Sequence, residues 1–168
     1  MNISMYQASA PRFVNMLKNL STLLDKAQAH AEARKIEPAV LTAFRLYPDM
    51  FPLTRQVQIA CDTAKGAVAR LAGVQIPVHE DSEQRLAELR ARISKTIDFI
   101  ESIKPEQIDG SEEKEIVLKL RSGEVKLTGM QYLLAHAYPN FYFHAATAYA
   151  ILRHNGVEVG KRDFLGKY

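Results

Sequence analysis

The sequence predicts an all-α four-helix bundle with a small β-hairpin inserted before the last helix. Three features of the 168 residues carry that reading. Apolar residues recur at steps of three and four in four long segments, and prolines and glycines stand at the ends of those segments. One stretch before the fourth segment instead alternates apolar with polar residues.

The first helix is expected from about Pro11 to His30, because Phe13, Met16, Leu17, Leu20, Leu23, Leu24 and Ala27 fall on one face. Residues Met1 to Ala10 are expected to extend it, since proline fits near a first turn or at a bend. A short helix is predicted from Glu37 to Arg45, with Pro38 in its first turn. Pro48 and Pro52 bar regular helix around Asp49, which reads as a turn or cap residue. The second long helix starts near Pro52 and stops before Gly73, with Leu53, Val57, Ala60, Cys61, Ala64, Ala67, Val68 and Leu71 as its stripe. Its alanines let a neighbouring helix approach closely. Asp62 falls off that stripe and is expected at the surface.

The third helix is expected from near Ser82, with Asp81 or Ser82 as N-cap and Glu83 in the first turn. Leu86, Leu89, Ile93, Ile97 and Ile100 face inward, Glu83, Arg85, Glu88, Arg92 and Lys95 outward, and Pro105 closes the element. Ile116, Leu118, Leu120, Val125 and Leu127 alternate on either side of Ser122 and Gly123. This stretch reads as a hairpin packed on the bundle, the alternative being a decorated crossover loop. The fourth helix runs from about Gly129 to His154, with Gly156 as its stop.

Two stripes of that helix are apolar, one through Met130, Leu133, Leu134, Ala137, Phe141, His144, Ala148 and Ile151, the other through Tyr138, Tyr142, Ala145, Tyr149 and Leu152. Such a helix is covered on both sides. Pro139 predicts a kink. Phe141, Tyr142 and Phe143 point in different directions, so one of them needs a further neighbour: the N-terminal segment, the tail or a second subunit. A homodimer is one expectation. The tail from Val157 to Tyr168 reads as a latch through Phe164 and Leu165, or as a mobile end.

Hydrophobic residues make up 47% and charged residues 24% of the chain, which excludes wholesale disorder. The net charge of +3 comes from scattered Lys and Arg, so no nucleic-acid footprint is expected. The single cysteine, Cys61, allows no intrachain disulfide and suits a small, inert core position. No leader pattern and no apolar run near the ~18 residues of a membrane span is visible, so a soluble cytoplasmic protein without a membrane partner is expected.

Histidine placement is the informative chemical signal. His30, His79 and His154 fall at helix ends or in a loop. His136 and His144 share the fourth helix but stand eight apart, rotated by about 80°, and so form no i, i+4 metal pair. Asn140, one turn before His144 on the same face, can supply one partner that a buried imidazole needs. His144 is then a satisfied core residue, a ligand-binding or catalytic group, or a metal ligand. One histidine cannot hold zinc, and no HExxH, CxxC, phosphate-binding glycine loop or GxSxG elbow supplies more chemistry. Neither a metal nor another cofactor is expected.

Several strings carry a family resemblance: MYQAS from Met5, PDMFPLTRQVQIACD from Pro48, PNFYFH from Pro139, ILRHNG from Ile151 and GKRDFLG from Gly160. Together they resemble a domain-of-unknown-function family of bacterial and fungal proteins, which is similar in turn to the DinB/YfiT-like superfamily. The resemblance implies a four-helix bundle in up-down-down-up order, often dimeric. It also implies, in many members, a divalent metal held by one histidine on the second helix and an i, i+4 pair on the fourth, and in several a thiol-dependent transferase or hydrolase activity. His144 matches the second histidine of that pair. Asn140 stands where the first would be, and the second helix offers Gln56 and Gln58 but no histidine between Pro52 and Gly73.

The expected function is therefore that of one DinB-like domain, residues 1–168, with a degenerate metal site, binding a small ligand or acting non-enzymatically. Its pocket is expected between the second and fourth helices, lined by Asn140, His144, Phe141 and Gln58. One alternative is a DinB-like transferase or hydrolase using His144. Another is an interaction protein acting through the aromatic face of the last helix.

Overall fold

The computed structural model describes residues 3–120 and 123–167. A first turn, α1 (Met5–Ala8), is separated from the long α2 (Ala10–Arg34) by Ser9, whose hydroxyl donates to the Met5 carbonyl at 2.6 Å. The N-terminal segment thus does not extend α2 but precedes a bend, and Pro11 sits in the first turn of α2, where its missing N–H costs nothing. The short α3 (Pro38–Ala43) and the long α4 (Leu53–Ala72) follow, α4 ending on Gly73 at φ 72°. That left-handed cap is a conformation glycine adopts without steric cost.

Next come α5 (Leu86–Ser102) and α6 (Pro105–Ile108). The hairpin pairs β1 (Glu115–Leu120) with β2 (Gly123–Thr128), Ile116 opposite Leu127 and Leu118 opposite Val125. Ile116 and Leu118 are buried, so the hairpin does pack its apolar face inward. Ser122 of the expected turn lies outside the described residues.

The last helix runs from Gly129 to His154 in three parts: α7 (Gly129–Gln131), a π-helical turn (Tyr132–Ala137) and α8 (Tyr138–His154). Thr128 caps its start by accepting from the Gln131 N–H. Gly129 is required there, because a Cβ would lie 2.0 Å from the Ser111 carbonyl oxygen of the crossing loop. A π turn stands immediately before the residues where Pro139 is expected to kink the helix. Tyr138 N–H reaches back five residues to the Leu133 carbonyl, and the wider turn admits proline at the start of α8.

Cross-helix contacts fix the directions of the four long helices. Lys18 pairs with Glu101 and Asp25 with Arg90, so α2 and α5 are antiparallel. Gln56 meets His144 and Thr63 meets Asn140, so α4 and α8 are antiparallel. Arg55 and Gln58 reach Asp81 and Glu83 just ahead of α5, and Asp62, further along α4, reaches Arg92 within it, so α4 and α5 run parallel, the 73–85 segment returning along the bundle to restart at the same end. The result is the up-down-down-up order.

Two expectations for α5 need correction. The helix starts at Leu86, not near Ser82, because Asp81 and Glu83 are drawn sideways to Arg92 and cannot cap it. Glu88 serves the start instead, accepting from the Gln84 and Arg85 N–H groups. Arg92 does not face solvent either. It is only 3% exposed, covered by the returning segment. Asp62, expected at the surface, is half-buried against it.

The tail forms a latch. A short tail helix, α9 (Lys161–Leu165), lies on α2, where the Asn19 amide donates to the Phe164 and Leu165 carbonyls and Phe164 meets Tyr149 edge-on. Cys61 is fully buried, and that burial pushes its thiol pKa up to about 12, the signature of an inert core thiol.

Candidate functional site: the polar seam between α4 and the last helix

Three residues of α4 at heptad spacing, Gln56, Thr63 and Arg70, each meet a polar group of the last helix. Heptad spacing returns a side chain to the same seam of a packed helix pair, which accounts for the row. His144 Nδ1 lies 2.6 Å from Gln56 Oε1, and Asn140 Nδ2 donates to Thr63 Oγ1 at 2.9 Å. Arg70 Nη1 donates to the Tyr132 hydroxyl at 3.2 Å.

At the first of these contacts the tautomer follows from the network. Gln56 Nε2 donates to the Phe51 carbonyl at 3.0 Å, which turns Oε1 toward the imidazole. Oε1 only accepts, so Nδ1 carries the proton and Nε2 keeps its lone pair. Burial first, and the Arg55 guanidinium second, hold the His144 pKa below the ordinary histidine value, favouring the neutral ring near pH 7. The ring is only 7% exposed, with Phe143 edge-on at 5.2 Å and itself open to solvent.

The structure brings Asn140 and His144 onto one seam but does not pair them; the imidazole partner is Gln56. Phe141 points away from solvent into the core, its ring edge-on to Phe13 at 4.9 Å. Gln58 is buried on the α5 side of α4, where it donates to Glu83 at 2.9 Å and accepts from Arg55 at 3.2 Å. It touches the His144 environment only through Arg55. The role of Gln56 could be read only across two helices, and no signal within the fourth helix marks it.

A three-histidine metal does not fit these residues. The Gln56 oxygen takes up His144 Nδ1, the Asn140 amide nitrogen is a donor spent on Thr63, and α4 presents an amide and a hydroxyl. Among the described residues no group of three or more His, Cys, Asp or Glu is placed to hold a metal ion.

Fold and seam together define a DinB-like helical bundle. A solved structure described as a DinB family member protein from Shewanella denitrificans is 47% identical, with a TM-score of 0.89 over 97% of this chain and 92% of that one. The family described as domain of unknown function DUF1993 matches residues 5–165, and the chain belongs to it. No curated protein matches. No helix among the described residues is long and apolar enough to cross a membrane.

Proposed function

We propose that this chain binds a small ligand at the α4–α8 seam without a resident metal and without turning it over. The observation that supports this reading is the chain of hydrogen bonds from the Phe51 carbonyl through Gln56 to His144, which leaves one preset acceptor, Nε2, on a neutral ring. Such an acceptor suits an uncharged N–H or O–H donor. Asn140 adds a polar group one turn away, Phe141 backs the helix from within the core, and Gln58 steadies the Arg55 charge that keeps the ring neutral.

The same lone pair favours a second reading, an enzyme with His144 as general base. A ligand screen that follows the ¹⁵N ring signals of His144 separates the two. Saturable shifts without product support binding alone, and product formation lost in His144→Gln supports the enzyme. A protein whose His144 signals respond to no small molecule overturns both.

A homodimer through the exposed Leu134, Tyr142 and Phe143 belongs to the same proposal. Sedimentation showing a monomer at high concentration removes it. A reducing, cytoplasmic setting suits the lone buried thiol of Cys61.

A further inference from the structure

The far end of the seam holds a second cluster that the His144 site does not use. Gln56 and Arg70 are fourteen residues apart on α4, roughly 21 Å along the helix, so the two ends are separate places. At this end the π turn carries Tyr132, which is only 2% exposed, and the half-buried His136, their rings stacked at 5.8 Å with 21° between planes. The Arg70 guanidinium lies 5.7 Å from the Tyr132 ring centroid and donates to its hydroxyl. It reaches that position by folding back over Gly66, where a Cβ would stand 2.5 Å from Nη1.

What this cluster lacks, among the described residues, is a carboxylate: none pairs with Arg70. The Tyr132 hydroxyl accepts from Arg70, so its own proton is left to donate. Burial first and the Arg70 charge second hold the His136 pKa below the ordinary histidine value, with no acidic group among the described residues countering them. A guanidinium, a phenol and an imidazole, all able to donate and none of them served by a carboxylate, match an oxyanion. Arginine's planar fork suits its geometry.

We infer that Arg70, Tyr132 and His136 form an anion-binding site, specific for a small oxyanion such as a phosphate or carboxylate group. The bound oxyanion accepts from the free Arg70 N–H groups, from the Tyr132 hydroxyl and from protonated His136. Gly66 keeps the guanidinium in place by leaving it room. The inference does not depend on a ligand at His144.

The test is an NMR titration of the intact protein at constant ionic strength, with inorganic phosphate in one arm and acetate in the other. Saturable shifts of the His136 ring signals, with a rise in its titration midpoint, are expected in at least one arm, and the stronger arm identifies the anion class. His144 signals should stay still. Arg70→Gln should weaken binding about tenfold or more, the effect of losing a charged hydrogen bond. Gly66→Ala, which displaces the guanidinium but keeps its charge, should weaken binding too. Absence of saturation by either anion in the unmodified protein overturns the site, whatever the variants do. Saturation that persists undiminished in folded Arg70→Gln also overturns it.

Discussion

Arg92 Nη2 on α5 donates to Asp62 Oδ1 on α4 at 2.9 Å, across two helices that run parallel. The same guanidinium serves Asp81 at 3.0 Å, Glu83 at 3.0 Å and the Glu80 carbonyl at 3.0 Å, all from the segment that returns along the bundle. Lys65 joins Asp62 at 3.0 Å. A parallel helix pair needs a long connection, and here that connection is tied down by charge because few of its residues are apolar. Ordered carboxylates around one buried cation compensate its desolvation only as a complete set.

Removing that cation should therefore cost far more than removing a surface charge. Arg92→Ala leaves Asp62, Asp81 and Glu83 with only Lys65, Arg55 and Gln58 as partners, and stability should fall by about 1–3 kcal/mol. Lys95→Ala, on the exposed part of the same helix, should change it by no more than about 0.5 kcal/mol. Urea unfolding of the two variants checks the contrast. Equal small losses would mean that packing alone holds the returning segment.

Arg92 also shows where the sequence stops being legible. Setting it outward with Glu88 and Lys95 fails because Arg92 stands one turn from Leu89, at the edge of the buried face, and the period of one helix says nothing about what covers that edge. The ends of α4 were legible because Pro52 and Gly73 act locally, and the hairpin because its alternation is local too. The partner of His144 was not. Asn140 shares its face, yet antiparallel packing sets Asn140 against Thr63, a helical turn and more from Gln56. Local signals define elements, whereas cross-helix register, which decides the site, depends on contacts far apart in sequence.

Acidification should weaken the fold in two stages. His144, His79 and His136 all have folded pKa values below the ordinary 6.5, mainly through burial. Between the folded and unfolded values the unfolded chain binds more protons, so stability falls as pH drops from about 6.5 through the folded values. Glu83 acts lower down. Burial alone would raise its carboxyl, but hydrogen bonds from Gln58 and Arg92 outweigh that and hold it below 4.5. Its contribution is complete above 4.5 and is lost as pH falls through the folded value. Thermal unfolding followed from pH 8 to pH 3 should show both declines, and His144→Gln should reduce only the first.

Gln56→Leu should expose the relay at the other end of the seam. The leucine leaves the buried Nδ1–H of His144 without an acceptor, at a cost of about 1–3 kcal/mol. Ring ¹⁵N spectra should then lose the dominant Nδ1–H tautomer. Gln56→Glu keeps an acceptor and adds a negative charge, which should raise the His144 pKa instead. An unchanged tautomer in Gln56→Leu would show that something other than Gln56 sets the ring.

The tail latch turns on Asn19 and Gly166. Gly166 adopts φ 71°, and a Cβ there would fall 2.1 Å from Asn19 Oδ1, the side chain that holds the Phe164 and Leu165 carbonyls. Gly166→Ala therefore combines a strained backbone with displacement of the anchor. Asn19→Ala removes the anchor alone, at a cost of roughly 1 kcal/mol. Lys26 still pairs with Asp163 at 2.6 Å in both variants, so α9 should loosen and the bundle should stay folded. Limited proteolysis should cut near residues 160–167 faster in both variants, with the four-helix body resistant. Faster cutting within α2 itself would mean that the tail stabilises the bundle and does more than dock on it.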